Sequence, residues 1–225
     1  MKNSVISWCF SFVCMIFIIC FSVITTVNFK GIYKSDIDRY HLDSYVGVDK
    51  ETLIKNYDVL IEYQSIFFNG ELELPDFPMS KEGKIHFAEV KVIFEIVQYI
   101  CIISGITSIT GLIYYIKKKE FFIFKKIAMV SFFVPLGIGI IAGIFFDQAF
   151  VLFHKVVFNN NYWIFDATTD PIISVLPQEF FMHSFFMIIG SIVFLSLLSY
   201  GIYRWLLNKE IENNNDKKEG INPLI

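Results

Sequence analysis

The sequence predicts an all-α membrane protein: four transmembrane helices, with two extracellular segments forming a small cap at the membrane surface. Three observations carry this expectation. Of the 225 residues, 55% are hydrophobic and only 18% charged, below the roughly 25% charged of an average soluble domain. Four apolar stretches, Val5–Phe29, Val92–Ile116, Ile127–Phe146 and Phe180–Leu207, reach the roughly 20 helical residues that cross a hydrocarbon core. Lysine and arginine then crowd one side of the chain, which sets an orientation.

The elements follow in order. Residues 1–29 hold the first span, whose apolar run is too long for a signal-peptide core and has no small-x-small cleavage site after it. Residues 30–91 form the first extracellular segment. Its opening stretch, with Asp36, Asp38, Arg39, His41 and Asp43, shows no apolar periodicity and reads as loop or edge. Asp49 has the place of an N-cap, with Glu51 in the first turn. Leu53, Tyr57, Leu60 and Ile61, continuing to Phe67 or Phe68, mark one face of an amphipathic helix that Asn69–Gly70 would stop. Pro75 and Pro78 keep Leu72 to Met79 extended. Ser80 caps a helix that runs straight into the second span, 92–116. Near its start Lys91 pairs with Glu95, beside Gln98, and reads as a lysine reaching outward to the surface.

Residues 117–126 make a basic loop with Lys117, Lys118, Lys119, Lys125 and Lys126. Retention of positive charge places this loop in the cytoplasm, and both chain ends with it. The third span, 127–146, carries Gly139-x-x-x-Gly143, a small-residue spacing that lets helices approach closely. Residues 147–179 form the second extracellular segment, in which helical pattern continues through Phe150, Phe153 and Val157 until Asn159–Asn161 break it. Asp170 followed by Pro171 opens a short helix through Val175. The fourth span covers 180–207, and 208–225 reads as a disordered cytoplasmic tail.

Candidate chemistry concentrates on the extracellular side. All four cysteines, Cys9, Cys14, Cys20 and Cys101, lie in apolar spans, so neither a disulfide framework nor a catalytic thiol is expected. No G-x-S-x-G, H-E-x-x-H, Walker A or C-x-x-C occurs, which leaves serine-hydrolase, zincin, nucleotide and redox readings without support. His41, His86, His154 and His183 remain. Imidazole exchanges a proton near neutral pH and suits general base, general acid or acyl-carrying roles. His86 and Glu89 are neighbours on one helical face. Asp147 and His154 are seven residues apart, nearly on one face but roughly 10 Å apart along the axis. Trp163 is an interfacial aromatic, and Asp166 and Asp170 follow it. From the residues alone, three readings stand: an enzyme using these histidines, a metal-dependent membrane hydrolase with His86, His154 and an aspartate as ligands, and a non-catalytic scaffold or pH sensor.

A set of ordered motifs narrows the choice. His86-Phe-Ala-Glu89-Val-Lys91 precedes the second span. Phe150-x-x-Phe153-His154-x-x-x-Phe158 leads to Trp163-x-Phe165-Asp166, Asp170-x-Ile172-Ile173 and Pro177-x-x-Phe180-Phe181. These motifs and the four-span layout resemble the lipoprotein intramolecular transacylases of low-GC Gram-positive bacteria. Two positions depart from that pattern, Glu89 standing for a more usual Asp and Ala167 for a more usual Pro. The resemblance implies a multi-pass enzyme of the bacterial cell membrane with its active site on the extracellular face. It would move one acyl chain of a diacylglyceryl-modified N-terminal cysteine to that cysteine's own α-amino group, giving the lyso form. His86 and His154 would be catalytic, and Glu89, Asp147, Trp163, Asp166 and Asp170 would serve the substrate or orient an imidazole. The implied partners are diacylated lipoproteins within membrane phospholipid. No metal, cofactor or nucleic acid is expected.

Overall fold

The structure, a computed structural model, describes residues 5–219, with side chains as far as Asp216. Nine helices and no strands occur among the described residues: α1 Val5–Asn28, α2 Gly31–Tyr40, α3 Leu42–Val46, α4 Lys50–Tyr63, α5 Lys81–Lys117, α6 Phe122–Ile144, α7 Phe146–Val157, α8 Ile172–Val175 and α9 Gln178–Glu219. Of these, α1, α5, α6 and α9 are long and apolar enough to cross a membrane. In lipid the helix is the form that satisfies every backbone donor within one segment. α1 packs against the other three, while α6 lies along α9. The α6–α9 seam closes at Gly139, where a Cβ would stand 2.7 Å from the Ile189 side chain. The small-residue spacing read from the sequence therefore serves this contact.

The short helices gather at one end of the bundle around a core of their own. Tyr33 of α2 stacks on Tyr57 of α4 at 4.2 Å between ring centres, and both meet the edge of Phe180 at the head of α9. Leu53, Val175, Ile172 and Ile37 complete its buried centre. α4 is capped as its sequence predicts, Asp49 accepting from the Thr52 amide at 2.6 Å. The Ser80 hydroxyl likewise accepts from Gly83 N at 2.9 Å to start α5. α5 has 37 residues, about 55 Å at 1.5 Å each. That is well over the roughly 30 Å of a hydrocarbon core, so the helix is longer than a single crossing needs.

Several expectations are corrected. The stretch expected as loop is helical in α2 and α3. Its charged residues hide an i,i+4 pair, Tyr33 and Ile37, each 1% exposed. α4 ends at Tyr63, ahead of Asn69–Gly70. Lys91 supplies the reason. Instead of reaching outward, its ammonium donates to the carbonyls of Tyr63, Ser65 and Phe68 at 2.7, 3.0 and 3.3 Å. It also pairs with Glu95 at 3.1 Å. Gln98 adds a bond from its amide to Gln64 O at 2.7 Å. Side chains of α5 thus take over the carbonyls that a longer α4 would have used.

At the opposite end, Lys125 and Lys126 lie inside α6, so the link between α5 and α6 is only residues 118–121. Lys126 is buried and donates to the Ser7 hydroxyl. The segment 208–219, expected as disordered tail, continues α9. Residues 208–219 contain neither Gly nor Pro; the expectation for 220–225 lies outside the described residues.

Candidate functional site

The candidate site lies where the head of α5 meets α7 and the loop after it. α6 ends at Ile144, and Phe145 breaks the helix so that α7 sets off in a new direction. Phe146, Phe150 and His154 fall at four-residue intervals along α7, one face of the helix. Phe146 meets Phe185 and Phe150 meets Phe181, both on α9. That docking turns His154 toward α5. Val151, Leu152 and Val156 on the far side of α7 stay exposed, an apolar collar suited to the membrane interface.

His86 and His154 come together from segments 68 positions apart in sequence, their ring centres 6.1 Å apart. Aromatic rings box them in. Phe158 and Phe165 meet the His86 ring at 4.7 and 5.4 Å. Phe150 and Trp163 meet the His154 ring at 4.3 and 4.9 Å.

The two imidazoles differ in their hydrogen bonding. Nδ1 of His154 lies 2.7 Å from Phe150 O. A carbonyl only accepts, so Nδ1 carries the proton and the neutral ring presents Nε2 as its lone pair. His86 is 6% exposed, and its Nδ1 is buried without a partner. Burial lowers the pKa of His86 to about 4, helped by the nearby His154. Burial also lowers that of His154, partly offset by the Phe150 carbonyl. Both rings are therefore neutral at neutral pH, and a proton on one opposes a proton on the other.

The acidic residues do not orient either imidazole. Asp170 is 2% exposed and accepts from the Ser80 amide and the Thr169 hydroxyl, both at 2.8 Å. Its side chain therefore secures the start of α5, one to two turns before His86, where the sequence suggested a cap for α8. Asp166 accepts from the Thr168 amide and hydroxyl at 2.8 and 2.7 Å and shapes the turn. Asp147 accepts from Gln178 at 2.6 Å and ties α7 to the start of α9. Glu89 accepts from the Asn160 amide at 2.8 Å through Oε1, while Oε2 is buried with no partner. Trp163 Nε1 donates to Asn160 O at 3.1 Å, so its indole is a wall with its donor already engaged.

Two participants escaped the sequence reading. Asn160 looked like part of a helix-breaking run, yet it binds Glu89, Trp163 and the Tyr162 amide. Asp36, read as a loop residue, is 1% exposed and faces Nδ1 of His183 at 2.9 Å. Arg39, which only donates, meets Nε2 of His183 at 3.3 Å, so Nδ1 carries the proton given to Asp36. This pair latches α2 to α9 and stands apart from the two boxed histidines.

Among the described residues, no group of three His, Cys, Asp or Glu is arranged to hold a metal ion. The four cysteines are free.

Residues 8–181 match the family model described as lipoprotein intramolecular transacylase Lit. No curated protein matches the sequence. Among solved structures, the chain is similar to the membrane integral lipoprotein intramolecular transacylase Lit from Bacillus cereus. The identity is 36% with a TM-score of 0.88, over 92% of this chain and 96% of that one. Two further structures of the Bacillus cereus enzyme carry a single histidine replacement, by arginine or by alanine. Each shares 35% identity, with TM-scores of 0.85 and 0.84 over 92% of this chain and 93% or 94% of the other. With a family model matched over most of its length and a four-helix fold shared with those structures, the chain belongs to the lipoprotein intramolecular transacylase family.

Proposed function

We propose that this transacylase moves one acyl chain from the diacylglyceryl group of a lipoprotein's N-terminal cysteine to the same cysteine's α-amino group, using His86 and His154. The observation that carries the assignment is the pair itself: two neutral imidazoles, 6.1 Å apart, walled by aromatic rings. His154 presents Nε2 as a base because Phe150 holds the proton on Nδ1. The amine nitrogen attacks the ester carbonyl, and His154 accepts a proton from it. The carbonyl oxygen gains charge, and the N–H of neutral His86 donates to it, as an oxyanion-stabilising donor does. The ester C–O bond then breaks, the proton passes from His154 to the glycerol oxygen, and an amide and a free hydroxyl result. No water, donor or second substrate enters the balance. The ester and the amine are tethered on one molecule, which raises their effective concentration to as much as ~10⁵ M or beyond in well-oriented cases.

The exposed collar of α7, at Val151, Leu152 and Val156, supports a site open to substrate and phospholipid chains at headgroup depth. The lysines at 117–119 support placing the opposite end of the bundle in the cytoplasm and the site on the extracellular face. Nucleic acid has no role in this reading.

The test mixes two lipoprotein substrates of different peptide mass, one with isotopically heavy acyl chains, with purified enzyme and a chelator. Each N-acyl product should keep the isotope of its own parent. Heavy chains on the light peptide would show exchange through a released intermediate. Activity lost to the chelator and restored by zinc would favour a metal-dependent hydrolase.

A further inference from the structure

Five residues of the site follow one another in a chain of contacts that starts and ends on one stretch of α5. His86 meets His154, and His154 meets Trp163. The Trp163 indole donates to the Asn160 carbonyl, and the Asn160 amide donates to Glu89 Oε1. Glu89 lies three residues after His86 on α5, neighbouring positions on one helical face. Two buried polar atoms of these residues have no partner among the described residues, Nδ1 of His86 and Oε2 of Glu89. Buried polar groups are nearly always satisfied, and an exception at a reactive site is a candidate for a catalytic or binding role. An acceptor left open on a carboxylate calls for a donor, and for preference a charged one.

We propose that the free oxygen of Glu89 receives the α-amino group of the lipoprotein's N-terminal cysteine. This inference rests on the reading of His86 and His154 as the transfer site. A free α-amine has a pKa near 7.7–8.0, so it arrives largely as an ammonium with three N–H donors. One N–H binds Glu89 Oε2. A second gives its proton to the imidazole, which frees the lone pair to attack the ester carbonyl. The contact to Glu89 holds the amine in place as the N–C bond forms; Oε2 then takes the surplus proton of that nitrogen, the imidazolium protonates the departing glycerol oxygen, and Glu89 returns its proton to water. Asn160 is the positioning residue here: by occupying Oε1 it fixes the carboxylate and leaves Oε2 as the one seat. The same seat sets specificity, because a cysteine whose nitrogen is already acylated brings no charge and a single N–H where the ammonium brings three.

The experiment uses the full-length enzyme in detergent and two unreactive probes. Both are short peptides beginning with an S-(2,3-dialkoxypropyl) cysteine, whose ether-linked chains do not transfer. One has a free α-amine; in the other, hydrogen replaces the amine. The wild type should bind the amine probe at least about tenfold more tightly, the usual worth of a hydrogen bond to a charged group. Glu89→Gln keeps the shape and the Asn160 contact, and should bind both probes within about threefold of each other. Its affinity for the deaminated probe should stay at the wild-type value. An undiminished preference in Glu89→Gln, or none in the wild type, overturns the proposal. Should Glu89→Gln bind neither probe, Glu89→Asp decides: a preference above about threefold supports the proposal, and its absence overturns it. Wild-type enzyme that yields no N-acyl product from the ester-linked peptide would instead refute the underlying transfer reading.

Discussion

Asp170 closes its carboxylate directly over Gly83, where any Cβ would collide with Oδ1. The same oxygen accepts from the Ser80 amide. Negative charge at a helix N-terminus is stabilising, because the first amides and the helix dipole point toward it. This contact fixes the start of α5, and with it the height and rotation of His86 one to two turns further on.

Gly83→Ala and Asp170→Ala should each destabilise the protein by about 1–3 kcal/mol, by steric conflict in one case and loss of a buried acceptor in the other. Each should also lower acyl transfer by displacing His86. The two should not add. With the carboxylate gone, the new methyl meets far less resistance, so the double variant should be close to Asp170→Ala alone. Thermal unfolding of the four proteins in detergent measures the coupling, and strict additivity would refute the contact.

Stability should depend on pH through His86. Burial depresses its folded pKa to about 4, from 6.5. Above 6.5 the ring is neutral folded and unfolded, and its contribution is fully present. Between 6.5 and about 4 the unfolded chain takes up a proton that the folded protein refuses, so stability falls with pH. The loss from this group should be on the order of 2–3 kcal/mol across that window. His154, shifted in the same direction, adds to it. The unfolding midpoint of the wild type should therefore drop between pH 6.5 and 4 more steeply than that of His86→Phe. Parallel curves for the two proteins would refute a buried neutral His86.

Orientation is tested by single cysteines in a protein cleared of Cys9, Cys14, Cys20 and Cys101. Asn159 is exposed beside the site, and Lys118 lies in the short link between α5 and α6. An impermeant thiol reagent on intact cells should label a cysteine at 159 and spare one at 118. The reverse pattern would invert the topology. Asn160 is unsuitable for this probe because its side chain is bonded to Glu89.

The long elements were legible because lipid leaves them few options: an apolar run of 20 or more residues in a membrane becomes a helix. The caps at Asp49 and Ser80 were legible because they depend on residues three apart. What escaped depends on distant partners. Asp36 reads as a solvent residue until His183, 147 positions away, meets it. Lys91 reads as reaching outward until the carbonyls after α4 fold over it. Asp170 reads as the cap of its own short helix, yet serves another one 90 positions earlier. His86 and His154 were nameable from sequence as titratable groups near a membrane surface. Their mutual approach and their burial come only with the tertiary fold, in which α7 docks against α9, while the tautomer of His154 is set within α7 by the Phe150 carbonyl.

The central claim, that His86 and His154 together carry the transfer, is tested most directly by N-terminal mass spectrometry of a diacylated lipoprotein treated with purified variants. His86→Ala and His154→Ala should each reduce formation of the N-acyl product by about 10²–10⁴-fold, the usual cost of losing a positioned acid, base or oxyanion donor. His41→Ala and His183→Ala, outside the aromatic box, should stay within about tenfold of wild type. Near wild-type product from either His86→Ala or His154→Ala, in protein that inserts and folds, would contradict the account.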